Sequence, residues 1–243
     1  MKKEKKVGII GAMSVEVETL TKKLKPLQKG KTVSVTQAGG LTFTEGLLEG
    51  VAVVIVKSGI GKVNAALCAQ RLIMQFGVTH IINTGIAGAM ASGLGILDMV
   101  VSKDAVYHDF EVTAFGYKQT KIPQMKTSTF KADKKMIDAA TIAFAGLKEA
   151  TGHQMVVGRV ASGDQFICDA RAKDAIRKIC KPACVEMEGA AIAHAAYLNK
   201  VPFVIIRCMS DMADDAGGKT YSFNENKAAA LSAKLVCAML SLF

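Results

Sequence analysis

The chain has 243 residues, half of them hydrophobic and 21% charged, a composition suited to one well-cored α/β domain without an obvious linker. No apolar run approaches the ~20 residues that a bilayer span requires, so no membrane partner is expected. The net charge of +10 invites a nucleic-acid reading, but the lysines are dispersed, tryptophan is absent and no basic–aromatic interleaving occurs; a solvated basic surface is expected instead, with no nucleic-acid partner.

The chain opens on a basic stretch, residues 1–6, expected to be flexible. The apolar run that follows superficially resembles a signal peptide, yet Ser14-Val15-Glu16-Val17-Glu18 comes at once and no small-residue cleavage pattern appears. Val7 to Ile10 reads as a first strand, and Gly11-Ala12 turns it into a helix carrying Glu16 and Glu18. Val33 to Thr36, Leu41 to Leu48 and Val51 to Val56 read as strands broken at Gly39-Gly40 and Glu49-Gly50. Ser58-Gly59-Ile60-Gly61 opens a helix from Lys62 to about Gln75. Ile81 to Gly85 is expected as a strand ending in a glycine-rich turn that includes Gly88. Separate strand signals come at Met99 to Ser102, Ala105 to His108 and Met155 to Ala161, and Asp133 can cap a helix running to about Leu147. Glu188 to Leu198 is an Ala-rich helix and Pro202 to Arg207 the last buried strand. Ser222 with Glu225 has the spacing of a capping box for a final helix reaching Leu240. Strands alternating with helices imply a single-domain, three-layer α/β/α fold around a mixed, largely parallel sheet.

The six cysteines are scattered through apolar stretches and read as small hydrophobes in a reducing compartment, the cytoplasm. Cys180 and Cys184 have no matching second pair, and the four histidines show no paired metal spacing, so no metal and no cofactor are expected. Water activation then falls to a carboxylate or a lone base. His194 among alanines reads as a satisfied core residue, and His108-Asp109 with Glu111 as a strand-end polar cluster. Ser58-Gly59-Ile60-Gly61-Lys62 fails both the P-loop pattern and the dinucleotide fingerprint. What survives is a tight turn that allows a ligand close to the backbone.

The acidic pairs near the C-terminus carry more. Glu186 and Glu188 would share one face of a strand and repel, unless a cation such as Arg207 or a ligand rich in hydroxyls lies between them. The plainer alternative is a chain entering a helix, with Glu188 favoured in the first turn by the macrodipole. Asp211 directly follows a buried strand, where parallel sheets deliver side chains into a crevice, with Ser210 beside it to orient it. Asp214 and Asp215 look like an ordinary solvated loop. Phe166 and Ile167 follow another strand and can cover an aromatic ring, with core packing as the alternative.

Taken in order, Gly8 to Met13 with Glu16, Lys57 to Val63, Asn83-Thr84-Gly85, Tyr107-His108-Asp109 with Val112 to Tyr117, Ser162-Gly163-Asp164, Val185 to Glu188, and Arg207 with Ser210-Asp211 resemble the purine nucleoside phosphorylase superfamily, and within it the nucleosidases of 5'-methylthioadenosine and S-adenosylhomocysteine. The resemblance implies a nucleoside phosphorylase-like fold and a small-molecule nucleoside substrate whose N-glycosidic bond is hydrolysed. In it Glu16 matches the general base, Asp211 the acid that protonates adenine N7, and Glu188 the ribose-binding carboxylate. Arg207 helps to hold the water and the carboxylates, with Glu186 beside it. Phe166 matches the purine-stacking residue and Ile167 the backbone that reads the base edge. Met187 lies against ribose or base, while Met13, Ile60 and Phe223 line the site. Residues 217–223 match a mobile lid. Val112, Phe115 and Pro123 match a loop reaching a neighbouring subunit's alkylthio pocket, which implies a homodimer. Two departures stand out: Ile86 replaces a common serine, and Ala89 a common glycine. Alternatives within the superfamily are an aminofutalosine hydrolase and a phosphate-dependent phosphorylase; outside it stands a non-catalytic nucleoside-binding protein.

Overall fold

The structure, a computed structural model, describes residues 4–214 and 217–243; Met1, Lys2 and Lys3 of the basic start, and Asp215 of the acidic loop, lie outside them. In chain order the elements are β1 (Lys6–Gly11), α1 (Ser14–Lys22), β2 (Ser34–Ala38), β3 (Leu41–Leu48), β4 (Val51–Lys57), α2 (Lys62–Phe76), β5 (His80–Ala89) and β6 (Met99–Tyr107). They continue with β7 (Phe130–Lys131), α3 (Lys134–Ala145), β8 (Met155–Ser162), α4 (Ala170–Cys180), β9 (Cys184–Glu186), α5 (Gly189–Leu198), β10 (Phe203–Asp211) and α6 (Gly217–Met239).

Near-continuous apolar runs place the central strands. Every residue of β10 is buried, including Arg207 and Asp211, as expected of a strand covered on both faces. β4, β1, β5 and β10 pair in parallel in that order, and β2 and β3 extend one edge as an antiparallel hairpin whose Gly39-Gly40 turn has φ of +56° and +76°, values glycine adopts freely. At the other end β10 pairs with β6, β6 with β8, β8 with β9 and β9 back onto β5, so the sheet curls into a closed ring of five strands. One face buries the apolar sides of α1, α3 and α6, and the other those of α2 and α5. Ile176 and Cys180 of α4 cover a third cluster with Ile167 and Val185 at the ring's edge. The layered, mixed α/β/α expectation holds.

Three local expectations need correction. No turn follows Gly85: β5 runs on to Ala89, so Gly88 and Ala89 are strand residues, and the glycines serve close approach instead of chain reversal. A Cβ at Gly85 would overlap Glu16 and Arg207, and one at Gly88 would lie 2.8 Å from Asp211 Oδ1. The two strand signals at 99–108 form one strand, with a pairing irregularity at Ser102/Asp104 opposite β8. Ser222 and Glu225 do not cap α6, which begins five residues earlier; Ser222 Oγ donates back to Gly218 O, and Glu225 accepts from Tyr221. The segment 217–223, matched to a lid, forms the opening turns of that helix. Asp133 does cap α3, accepting from Met136 N at 3.1 Å.

Candidate active site

Three strand ends and two helix starts meet at one cleft of about 440 Å³. β1 gives way to α1, and Glu16 in the first turn of that helix curls back over its own N-terminus. Its Oε2 accepts from Ala12 N at 2.7 Å and Met13 N at 2.9 Å, and its Oε1 from Ile86 N on β5 at 3.1 Å. Three backbone donors favour the ionised carboxylate, but burial dominates and raises its pKa; the nearby Arg207 charge pulls the other way. β9 ends at Glu186 and α5 starts beside Glu188, so the two do not stack on one strand face. Glu186 Oε2 instead caps α5, accepting from Gly189 N at 2.7 Å, while its Oε1 accepts from the Ser162 hydroxyl. Glu188 Oε1 accepts from Gly61 N at 3.0 Å across the cleft.

Arg207, projecting from the middle of β10, holds this acidic group together. Its Nη2 donates to Glu186 and lies 3.5 Å from Glu188, and its Nη1 lies 3.8 Å from Glu16. Burial alone would lower its pKa, yet the Glu186, Glu188 and Glu16 charges together raise it. One guanidinium against three buried carboxylates leaves acidity in excess. Glu188 registers it: burial first, then the Glu186 charge, push its pKa up to about 7. Such an imbalance is costly unless a ligand supplies donors or positive charge.

Asp211 closes β10 on the opposite wall. Its Oδ1 accepts from Ala213 N and its Oδ2 from Ser210 Oγ, both at 2.8 Å. Burial raises its pKa against those two hydrogen bonds. Ser210 Oγ also reaches Ala87 O at 3.4 Å. Its single proton can therefore turn from the ionised carboxylate to that carbonyl when Asp211 takes up a proton.

Met13, Ile60, Ile86, Gly88, Phe166, Ile167, Met187 and Ser210 line the same cleft as Glu16, Glu186, Glu188 and Asp211, while Arg207 lies behind the carboxylates. Phe223 does not join them: it is 79% exposed, because the early start of α6 turns Tyr221 inward in its place. Tyr221 meets Phe166 edge-on at 5.5 Å and donates to Glu225 four residues on. That spacing in the sequence was the signal for it, hidden by reading Ser222 as a cap. Gln165 and Ala87 were also missed, and nothing but the tertiary contacts marks them; Ala12 and Val185 lie within the ordered motifs but were not singled out. Val112, Phe115 and Pro123 lie away from the cleft, Phe115 being 81% exposed. Among the described residues no group of three or more His, Cys, Asp and Glu is placed to hold a metal ion, and no helix is long and apolar enough to cross a membrane.

A model of the phosphorylase superfamily matches residues 6–241. The 5'-methylthioadenosine/S-adenosylhomocysteine nucleosidase of Geobacillus kaustophilus is 40% identical over 238 residues, covering 98% of this chain and 97% of that protein. The nucleosidase of the same name from Neisseria meningitidis, solved in complex with methylthio-immucillin-A, superposes with a TM-score of 0.91 at 36% identity, covering 98% of this chain and 100% of the other. Futalosine hydrolase of Helicobacter pylori superposes with a TM-score of 0.90 at 28% identity, covering 98% of each chain. With the family model running almost end to end and a relative of this similarity along the same length, the chain belongs to the phosphorylase superfamily, among its 5'-methylthioadenosine/S-adenosylhomocysteine nucleosidases.

Proposed function

We propose that the protein hydrolyses the N-glycosidic bond of 5'-methylthioadenosine and S-adenosylhomocysteine, and of 5'-deoxyadenosine where it is offered, releasing adenine and the 5-substituted ribose. The observation that carries the reading is the shared cleft: Glu16 and Asp211, with the Glu186–Arg207–Glu188 group, surround one nucleoside-sized space. Glu16 takes the proton of the attacking water through the lone pair that Oε1 retains beyond its bond to Ile86 N. Asp211 gives its proton to N7 of adenine, since the adenine anion is a poor leaving group, and Ser210 turns to Ala87 O in the protonated state. As the bond stretches the ribose gains oxocarbenium character, which the surplus of carboxylates stabilises electrostatically. Glu188 accepts hydrogen bonds from the ribose hydroxyls, and Phe166 with Tyr221 covers the base.

Phosphorolysis is disfavoured by the same electrostatics. Among the described residues lining the cleft none is Lys or Arg, and Arg207 behind them is already outnumbered by carboxylates, so an incoming phosphate finds no free cation among them. Futalosine hydrolysis is the second reading, supported by the structural likeness at lower identity. The test is release of adenine from methylthioadenosine and adenosylhomocysteine with and without phosphate, with aminofutalosine offered in parallel. Strict dependence on phosphate, binding without turnover, or turnover of aminofutalosine alone would each overturn the nucleosidase.

We further propose a homodimer. Val63, Leu67 and Met74 leave an exposed apolar stripe on α2, and the loop with Phe115 is likewise exposed, which is surface a second copy can cover. The six free cysteines, five of them buried, agree with a reducing compartment, the cytoplasm.

A further inference from the structure

We propose that Asn83 is a positioning residue for the reaction: its side-chain amide fixes the rotation of the Arg207 head group so that Nη1 faces Glu16 while Nη2 stays on Glu186 and Glu188. The proposal rests on the nucleosidase reading above. Asn83 lies on β5 between β1 and β10, paired in register with Ile10 and Ile205, and is fully buried. A polar amide in the middle of a sheet of valines and isoleucines is costly unless both its ends are bonded. Both are. The amide nitrogen donates to Ile10 O at 3.0 Å, which fixes the orientation of the group, and the amide oxygen therefore faces Arg207 and accepts from Nη2 at 2.6 Å.

The two hydrogens of Arg207 Nη2 are thus divided, one to Asn83 and one to Glu186. With Nη2 so held, the plane of the guanidinium directs Nη1 at Glu16 and at Ile86 O, 3.8 and 3.5 Å away. Among the described residues Asn83 is the only uncharged side chain that accepts from this head group. Electrostatics alone would not keep that arrangement. Two of the three carboxylates lie on the Nη2 side, and Glu188 Oε2 waits at 3.5 Å for a hydrogen that Asn83 releases. Without the amide acceptor the cation moves toward the Glu186–Glu188 pair and away from Glu16, the group that must stay ionised to receive a proton from water. Among the described residues, the charged and titratable groups around Glu16 are Arg207 on β10, Glu186 on β9, Glu188 at the start of α5 and Tyr221 on α6, with Asp211 on the opposite wall; of these only Arg207 is a cation.

Asn83→Leu removes the acceptor at similar size, and Asn83→Asp keeps an acceptor for Nη2 while losing the donor to Ile10 O. Each is purified and assayed for adenine release from methylthioadenosine across pH, beside thermal melting. For Asn83→Leu we expect kcat to fall about 10- to 100-fold with KM within about threefold, as for a lost bond to a charged group felt at the reacting centre. The acid limb of its pH–rate profile moves to higher pH, because Glu16 has lost its cation. Asn83→Asp also lowers kcat, because it sets an oxygen against Ile10 O and adds a fourth buried carboxylate, but by less than Asn83→Leu, since the Nη2 acceptor remains. Wild-type kcat in Asn83→Leu overturns the proposal. So does an equal loss in both variants with the acid limb unmoved, the result of a merely structural role. Asn83→Ala, which adds no bulk, carries the same comparison if the leucine variant does not fold. A wild-type protein that releases no adenine overturns the nucleosidase reading and this role with it, whereas an active wild type with an unaffected Asn83→Leu overturns this role alone.

Discussion

Replacing Asp211 by asparagine separates proton delivery from binding. The carboxyl is 2% exposed, and the amide fits the space it leaves without orphaning a neighbour. The asparagine oxygen keeps the 2.8 Å bond from Ala213 N, its NH2 meets Ser210 Oγ, and the serine proton turns to Ala87 O. Nothing in the cleft's shape changes, so KM for methylthioadenosine is expected to stay within about threefold. What disappears is the proton for adenine N7. A positioned general acid is worth about 10²- to 10⁴-fold, or about 3 to 5 kcal/mol of barrier, and kcat should fall by that amount. Stability should move the other way. Because burial raises the folded-state pKa of Asp211, its contribution to stability is full only below the unfolded carboxyl value and is lost as pH rises through the folded value. Above the folded value the buried charge is a net cost, and there the neutral amide should melt no lower than the wild type. The assays are adenine release under saturating substrate, calorimetric binding of the unhydrolysed nucleoside, and thermal melts at several pH values. A kcat within tenfold of wild type, or a loss carried entirely by KM, would refute Asp211 as the acid.

Arg207→Met should leave three buried carboxylates without their cation and destabilise the fold by about 3–5 kcal/mol near neutral pH. Burial then raises the folded pKa of Glu16 and Glu188 further above the unfolded value, so denaturation midpoints should recover as pH falls; midpoints parallel to wild type at every pH would contradict this charge balance. Gly85→Ala places a methyl where Glu16 and Arg207 already sit, and is expected to lower stability by about 1–3 kcal/mol and to abolish most turnover; full activity would mean the two side chains are not packed against β5. Ile86→Ser exchanges a buried apolar wall of the cleft for a hydroxyl. It should change the ratio of KM values for methylthioadenosine and adenosylhomocysteine while keeping kcat within tenfold, and a fall as deep as that of Asp211→Asn would show that Ile86 affects the chemical step.

Several features were legible along the chain because they depend on neighbours in sequence. The buried strands stand out as apolar runs, the hairpin as glycine pairs, and the α3 cap as Asp133 before a helical pattern. Asp211 could be picked from Asp214 and Asp215 because it comes directly at the end of a buried apolar run. Motifs in order carried the family, and with it Glu16, which local pattern alone would leave as one more acidic residue in a first helical turn. The errors have local causes too. Gly85 and Gly88 read as a turn because glycine marks turns and close approaches alike, and only Glu16, Arg207 and Asp211 in space distinguish the two. Ser222 and Glu225 have cap spacing, but the helix had already begun at Gly217, which moved Phe223 out of the cleft and Tyr221 into it.

The sequence by itself determined the layered α/β fold, the strands that deliver the acidic residues and the superfamily, since periodicity, turn residues and ordered motifs are written in one dimension. Tertiary structure decided that Glu186 and Glu188 are not a repelling strand pair but two helix-entry carboxylates sharing one guanidinium. It also placed the Asn83 amide between Ile10 O and Arg207 Nη2. The reason is electrostatic: the state of a buried charge depends on every charge and dipole within a few ångströms, and here those come from β1, β5, β9, β10 and the starts of α1 and α5, segments up to nearly two hundred residues apart in the chain.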